Sequence, residues 1–366
     1  MRTVLAFSAA LFGIVLLVPV LVLVVPLWVV AACTRALGGL FEPAYVTRDQ
    51  LIEFDPVFGW KPRPNLDTHH LMADLFRIRT DAHGWRGRFS LAESDIAVFG
   101  DSFAAGYGVG EDGLFANLHS DPRIKPIGIG GYSMVQELLW MKELAPRLHG
   151  KLVVWFIYFG NDLYDNLSPD LRGYRKPFAR EVRHTGGWEI FSGHVSREKW
   201  PITPRLGHGE IHMSKLAELC SDTFLAQRAY RACEFLIQQG RELCAEAGAD
   251  LAVLTIPDTH QLSPGGHRYL QSLVPNLKTF DPDTPDRKLA SICQHLGVPF
   301  VSGKTFLDVS CYKRNDCHWN ESGHRRVARL LAELHARRRQ EIGPPAELSR
   351  STVLSGNLDT AAKLAS

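Results

Sequence analysis

A short apolar run that ends in a glycine constrains the fold of this chain more than any other feature. Residues 96–99 are all apolar, and Ile96 and Val98 are β-branched, a composition typical of a buried strand. The strand is predicted to break at Gly100, and Ser102 follows two positions later, where we expect the next helix to begin. Open α/β sheets bind ligands at the carboxyl ends of their strands, and a helix that begins there presents backbone N–H groups to negative charge. The run therefore predicts an α/β fold with Ser102 at its ligand-binding edge.

Apolar runs alternate with segments of helical periodicity along the rest of the chain. Further strands are predicted at 127–129, 153–159, 251–256 and 298–301, and helices at 134–148, 215–247, 287–296 and 321–339. Strands that alternate with helices predict a mostly parallel sheet covered on both faces.

Three other short blocks carry residue types that could act with the serine. Glycines at 128, 130 and 131 lie in or directly after the second strand, Asn161 follows the third strand, and Asp316 precedes His318 by two residues ahead of the last helix. An ester-cleaving serine enzyme needs a nucleophile, a base, a group that orients the base and donors for the oxyanion. Ser102 is the candidate nucleophile, His318 the candidate base, and Asp316 the carboxylate that sets the imidazole tautomer.

These four blocks, in this order and spacing, resemble the SGNH (GDSL-like) hydrolase family, in its membrane-anchored bacterial form. The resemblance spans roughly residues 54–339. It implies a flavodoxin-like, three-layer α/β/α fold and a serine esterase that works through an acyl-enzyme without a cofactor. The oxyanion hole that it implies combines the backbone N–H of Ser102, the backbone N–H of Gly131 and the side chain of Asn161, with Gly128 and Gly130 as alternatives to Gly131.

The chain departs from the family pattern in two places. The family commonly spaces its Asp and His as D-x-x-H, whereas here the third position before His318 is Asn315 and the acid is Asp316, in the shorter D-x-H-W-N form. The family often has Asn at the start of the glycine block, and Pro126 stands at that place here. The second change removes a possible hydrogen bond in the loop and leaves the reacting groups untouched.

The N-terminus predicts a membrane anchor. No charged residue lies between Arg2 and Arg35, and residues 4–32 are almost wholly apolar. About 20 such residues span a bilayer core, so residues 1–35 are expected to form a single retained transmembrane helix, longer than a cleaved signal. With the N-terminus inside, the catalytic domain would face the periplasm or the cell exterior. The alternative is a lipid anchor at Cys33, since the residues before it resemble a lipoprotein processing site.

The remaining sequence divides into three parts, the second of which contains an insertion. Residues 36–90 are a proline-rich, non-helical lead-in expected to pack on the catalytic domain at 91–340, and residues 341–366 have a composition typical of a disordered tail. Residues 163–212, rich in Gly, Pro and aromatics, predict an irregular, cap-like insertion over the site. From 172 to 205 the insertion holds eight Arg or Lys against three Glu, a local charge of +5 that favours anionic or polyhydroxyl substrates. A solvated lobe without a role in binding is the alternative.

Overall charge and cysteine spacing exclude some classes of function. The net charge of +2 is too small to indicate a nucleic-acid partner, and no Cys/His set has the spacing of a zinc site, so no metal is expected. Six of the seven cysteines follow Cys33, a number that permits disulfides in an exported domain. A bridge between Cys311 and Cys317 would stiffen the loop around Asp316, and free buried thiols are the alternative.

The sequence therefore favours a membrane-anchored serine esterase that removes acyl groups from an extracytoplasmic glycan or lipid. An O-acyltransferase that modifies a cell-envelope polysaccharide would use the same residues, because water and a sugar hydroxyl meet the same acyl-enzyme. A non-catalytic envelope binding or assembly factor that retains the fold is the third hypothesis.

Overall fold

A computed structural model describes residues 45–46, 50–72, 74–171, 173–196 and 208–342. The chain divides into two compact units, 1–45 and 46–366, and the strands of the main sheet belong to the second. The predicted membrane segment at 1–35, Cys33 and almost all of the predicted tail at 341–366 lie outside the described residues. In the part of the chain that is described, no helix has the length and apolar character needed to cross a membrane.

Strands and helices alternate over most of the second unit. The strands in the described ranges are β1 (Tyr45–Val46), β2 (Ile52–Asp55), β3 (Gly59–Pro62), β4 (Asp67–Leu71), β5 (Leu75–Arg79), β6 (Ile96–Gly100), β7 (Ile124–Gly128), β8 (Leu152–Tyr158), β9 (Asp170–Leu171), β10 (Tyr174–Arg175), β11 (Phe178–Glu181), β12 (Trp188–Phe191), β13 (Asp250–Ile256) and β14 (Phe300–Ser302). The α-helices are α1 (Met134–Leu144), α2 (Asp162–Asp165), α3 (His208–Leu219), α4 (Phe224–Glu246), α5 (Pro264–Leu273), α6 (Thr284–Leu296) and α7 (Glu321–Ile342).

Five of the strands form one parallel sheet in the order β14-β13-β8-β6-β7. Counted along the chain within this sheet, the order is 2-1-3-4-5, that of flavodoxin-like doubly wound folds. The prediction of an α/β fold with a parallel sheet is confirmed. Between β6 and β8 the chain changes direction across the sheet, and such switch points open a crevice at the carboxyl ends of the strands.

Alternate residues of the central strands belong to two separate hydrophobic cores. Phe99 and Trp155 lie in a core that includes residues of α1, α4 and α6, whereas Val98 and Val154 lie in one that includes residues of α7. Because successive strand side chains point to opposite faces, the sheet is covered on both sides and forms the middle of three layers.

The lead-in packs through its aromatic side chains. The ring of Phe58 stacks on Trp140 of α1 with centroids 4.4 Å apart, and Trp60 and Trp85 are buried. The Tyr132 hydroxyl donates to the backbone carbonyl of Trp60 at 2.8 Å. This part of the chain is therefore continuous with the core of the α/β domain.

The strand predicted at 127–129 begins earlier in the sequence than expected. Strand β7 is Ile124–Gly128 rather than 127–129, with Pro126 paired to Val98. Proline cannot donate to a strand ladder, but β7 is an edge strand and has a neighbour on one side only. An edge position therefore accommodates a proline that would be unfavourable in a central strand.

Two predicted helices differ from those observed, since the first ends early and the second is interrupted. The helix predicted at 134–148 ends at Leu144 and continues as one 3₁₀ turn, Ala145–Arg147, because Pro146 has no N–H to continue the α-helical ladder. The helix predicted at 215–247 is the two helices α3 and α4. The second begins at Phe224 and is capped by Thr223, whose side chain accepts a hydrogen bond from the Ala226 N–H.

The insertion at 163–212 contains more regular structure than predicted. Strands β9 and β10 form one antiparallel pair, and β11 and β12 form a second, within residues that the sequence indicated to be irregular. In the second pair, Arg180 and Glu189 lie opposite each other, with Arg180 Nε 2.7 Å from Glu189 Oε1. Cross-strand pairs of this kind, rather than a long apolar run, hold these short strands.

Of the two alternatives for the cysteines, a bridge between Cys311 and Cys317 or free thiols, the structure has free thiols. All six cysteines in the described residues are free thiols, and Cys311 and Cys317 are among them. Cys311 is buried in the core beneath α7, where it acts as a small apolar side chain.

Candidate active site

Ser102 and Asn161 lie at the switch point of the sheet, just beyond the carboxyl ends of β6 and β8. These two strands are neighbours, so the sheet itself brings the two side chains to one edge. His318 reaches the same edge from the loop before α7, and all three residues line one cavity of about 1070 Å³.

The three residues predicted to form a catalytic triad are hydrogen-bonded in sequence. Ser102 Oγ lies 2.7 Å from His318 Nε2, and His318 Nδ1 lies 2.6 Å from Asp316 Oδ1. The Asp316 carboxylate is acceptor-only, so the Nδ1 proton points to it and Nε2 is left to accept the serine proton. The short D-x-H spacing works because Asp316 Oδ1 also accepts the His318 backbone N–H at 3.1 Å, which folds the loop back on itself.

The residues after His318 hold this loop in place. Trp319 is fully buried, and its ring packs edge-on against Phe103 with centroids 4.8 Å apart. The Asn320 side chain donates to the backbone carbonyl of Tyr312 and accepts the backbone N–H of Ser322 at the start of α7. The W-N pair thus joins the loop to the core on one side and to the helix on the other.

The chain after Ser102 forms consecutive turns, and the helix expected there is wrong. The Ala105 N–H donates to the Asp101 carbonyl in a single helical turn, but Gly106 and Gly108 have φ of 71° and 95°. Those left-handed conformations end the turn before a helix can propagate. Asp101 holds it from the side, since its carboxylate accepts the Phe103 N–H at 2.9 Å.

The predicted oxyanion donors line the same cavity. Gly131 has φ of 84°, and of the three candidate glycines it is the one that lines the cavity in the described residues. A side chain at Gly128 would collide with the Gly100 carbonyl, and one at Gly130 with the Tyr107 ring, so those two glycines serve packing. The Asn161 Nδ2 lies 3.3 Å from the Tyr132 carbonyl, near the upper limit for such a bond.

The protonation of the triad is set by its immediate neighbours. Burial favours the neutral imidazole, but the Cys317 sulfur and the Asp316 carboxylate outweigh it and raise the pKa of His318 to about 10. Burial would also raise the pKa of Asp316, but the hydrogen bonds from His318 lower it overall. The dyad therefore holds its proton tightly in the free protein, with the charge on the imidazole.

We predict that ester turnover rises from neutral to alkaline pH. His318 must be neutral to accept the serine proton, and a raised pKa moves the neutral form to higher pH. The value of kcat/KM should therefore rise at a higher pH than it would with a histidine of ordinary pKa. Cys317→Ala should move this rise to lower pH, because it removes a sulfur that lies 3.8 Å from Nδ1.

Cys311→Ala is the matched control for this measurement, since the Cys311 sulfur contacts Asp308 rather than the imidazole. If the ascending limb of the pH profile does not move in Cys317→Ala, the sulfur does not influence the base.

Asp316, Cys317 and His318 are also the group of donor side chains, in the described ranges, that lie close enough to share a metal ion. Two of them are already hydrogen-bonded to each other in the triad.

A second pair with the same spacing was missed in the sequence. Asp258 and His260 follow β13 and line the same cavity, with His260 Nδ1 2.7 Å from Asp258 Oδ1. The signal was present, because an Asp-x-His follows a buried apolar run directly, as the serine block follows β6.

No protein-family model and no curated protein matches this sequence. Among solved structures, a member of the lipolytic protein G-D-S-L family from Veillonella parvula is similar at 12% identity and a TM-score of 0.38, covering 66% of this chain and 98% of that one. An aryl esterase from M. smegmatis has 12% identity and a TM-score of 0.37, over 67% and 99% of the two chains. A GDSL-like lipase from Bacteroides thetaiotaomicron has 12% identity and a TM-score of 0.36, over 69% and 93%. Values this low carry no conclusion about the reaction, which depends instead on the geometry of the site.

Proposed function

We propose that this protein is a serine esterase of the SGNH type, which cleaves carboxylic esters through an acyl-enzyme. The observation that carries the proposal is the continuous hydrogen-bonded line from Ser102 through His318 to Asp316. A serine hydroxyl becomes nucleophilic when a positioned base can take its proton, and a base oriented by a carboxylate is the common solution.

The reaction follows from these contacts. Ser102 Oγ attacks the ester carbonyl carbon while its proton passes to His318 Nε2, and Gly131 and Asn161 donate to the resulting oxyanion. Collapse of this intermediate breaks the bond to the leaving alcohol, which takes the proton from Nε2. Water then attacks the acyl-enzyme, gives its proton to Nε2, and releases the carboxylic acid as Ser102 regains a proton.

Acyl transfer to an alcohol is the second candidate, because a hydroxyl group can replace water in the last step. A cavity of about 1070 Å³ has room for an alcohol acceptor beside the acyl group, which supports this candidate. The test is turnover of 4-nitrophenyl acetate with and without a glycan acceptor, with products separated by mass spectrometry. A new glycan ester would assign a transferase, and acetate alone would assign a hydrolase. The intact triad favours either enzyme over a non-catalytic binding factor.

We also propose that the catalytic domain is anchored to a membrane and faces outward, where its substrate would be an envelope glycan or lipid. The support is the uncharged stretch between Arg2 and Arg35. A phosphatase reporter fused after residue 342 should be active outside the cytoplasm, and deletion of 1–35 should release the protein from membranes. Loss of attachment in Cys33→Ser would assign a lipid anchor, and retained attachment a spanning helix. A cytoplasmic reporter signal would contradict the outward orientation.

A further inference from the structure

The cavity contains two Asp-x-His pairs of nearly the same geometry. In the second pair, His260 Nδ1 lies 2.7 Å from Asp258 Oδ1, and the same oxygen accepts the His260 backbone N–H at 2.9 Å. The corresponding distances in the triad pair are 2.6 and 3.1 Å. The second pair has no serine at its Nε2, so the proposed reaction leaves it without a role.

The carboxylate of the second pair is buried and has a further hydrogen-bond partner on its other oxygen. The Asp258 side chain is 2% exposed, and its other oxygen accepts the Tyr158 hydroxyl at 2.5 Å. The Asp258 hydrogen bond outweighs partial burial and raises the pKa of His260 above its ordinary value. Its imidazole is therefore fixed in orientation, with Nε2 available for a hydrogen bond, as an acceptor in the neutral ring and as a donor in the protonated ring.

The imidazole of His260 is open to the cavity. Its side chain is 38% exposed, and its hydrogen bond in the described residues is made by Nδ1, which leaves Nε2 without a partner there. Beside it lies the ring of Tyr269, with centroids 5.1 Å apart and 39% of the residue exposed. Both side chains line the cavity, and the hydroxyl-bearing Thr259 and Ser263 line it with them.

The wall around His260 carries groups that can bind a sugar. It is formed by the polar Thr259, His260 and Ser263 and by the aromatic Tyr269, whereas the aliphatic side chains that line the cavity in the described residues, Leu171, Met213 and Val309, come from other segments of the chain. A sugar has hydroxyl groups that form hydrogen bonds and an apolar C–H face that packs on aromatic rings. The oriented imidazole of His260 can bind a hydroxyl group, and the exposed ring of Tyr269 can pack on the C–H face.

We propose that Thr259, His260, Ser263 and Tyr269 form a saccharide subsite in the catalytic cavity, with His260 Nε2 hydrogen-bonded to a sugar hydroxyl and the Tyr269 ring stacked on the sugar face. This proposal rests on the proposed function, and it names the substrate class of that same site as an O-acylated glycan. His260 is here a specificity-determining residue, and the proton transfers of the reaction remain with His318.

The test compares two esters on the full chain: 4-nitrophenyl acetate, which has no sugar, and the best substrate among the methyl 6-O-acetyl glycosides of glucose, mannose, galactose and N-acetylglucosamine. His260→Ala should lower kcat/KM for the sugar ester about 10-fold, chiefly through KM, because an oriented hydrogen bond to a sugar hydroxyl is lost. Turnover of 4-nitrophenyl acetate should change by less than about twofold. Tyr269→Ala should lower kcat/KM for the sugar ester, and Tyr269→Phe, which keeps the ring, should restore it.

His295→Ala is the matched control, since His295 is an exposed histidine on α6 that does not line the cavity. Binding of the same four glycosides is also measured by calorimetry on the Ser102→Ala protein, with and without His260→Ala. An equal loss with both esters, or no binding and no turnover of any of the four sugars, would overturn the subsite. If Ser102→Ala leaves turnover intact while glycoside binding still depends on His260, the subsite is supported and the proposed reaction fails.

Discussion

Replacement of Ser102 by alanine is expected to reduce ester turnover by roughly 10³- to 10⁶-fold, the range seen when serine triads lose their nucleophile. The variant removes the Oγ that lies 2.7 Å from His318 Nε2, so no acyl-enzyme can form. The change deletes one oxygen atom at a small buried side chain, and the core is expected to be unaffected. Initial rates with 4-nitrophenyl acetate measure the loss, and thermal unfolding checks the fold.

A serine-directed phosphonate should label wild-type protein at Ser102 and leave Ser102→Ala unlabelled, as located by peptide mass spectrometry. Ser90→Ala is the matched control, because Ser90 is an exposed serine outside the cavity. Activity in Ser102→Ala close to that of the wild type would refute the nucleophile assignment. It would also leave the line of hydrogen bonds through His318 and Asp316 without a reaction to explain it.

Asn161→Ala is expected to lower kcat about 10²- to 10³-fold with little change in KM. Its side chain lies beyond β8, beside Ser102 in the cavity, where negative charge develops on the ester oxygen. An oxyanion donor meets that charge mainly in the transition state, so its loss affects the chemical step more than substrate binding. Steady-state kinetics with 4-nitrophenyl acetate separate the two parameters.

Asn315→Ala is the control for this prediction, since Asn315 places a second amide on the cavity wall without belonging to the proposed oxyanion hole. It should leave kcat within about twofold of the wild type. If Asn161→Ala raises KM and leaves kcat unchanged, Asn161 is a substrate-binding residue and the third oxyanion donor must lie elsewhere.

The sequence by itself determined the class of fold and the local geometry of the triad acid and base. Buried parallel strands are near-continuous apolar runs, so 96–99 and 153–159 could be recognised without knowledge of their partners, to within one residue of β6 and β8. The Asp316–His318 pair could be predicted because two residues of separation let a carboxylate fold back on the imidazole, a local interaction. Boundaries were less predictable where a cap or an edge position decided them, as at Thr223 and Pro126.

Only the tertiary structure decided which groups share the cavity. The order of strands in the sheet opens the crevice at Ser102, and the packing of Trp319 on Phe103 brings His318, 216 residues later in the chain, to within 2.7 Å of it. The same order places β13 beside β8, which brings Asp258 to the Tyr158 hydroxyl and His260 to the cavity wall. In the sequence, Asp258-x-His260 and Asp316-x-His318 have the same spacing. Their roles differ because one imidazole meets a serine and the other faces open space, and long-range packing alone makes that distinction.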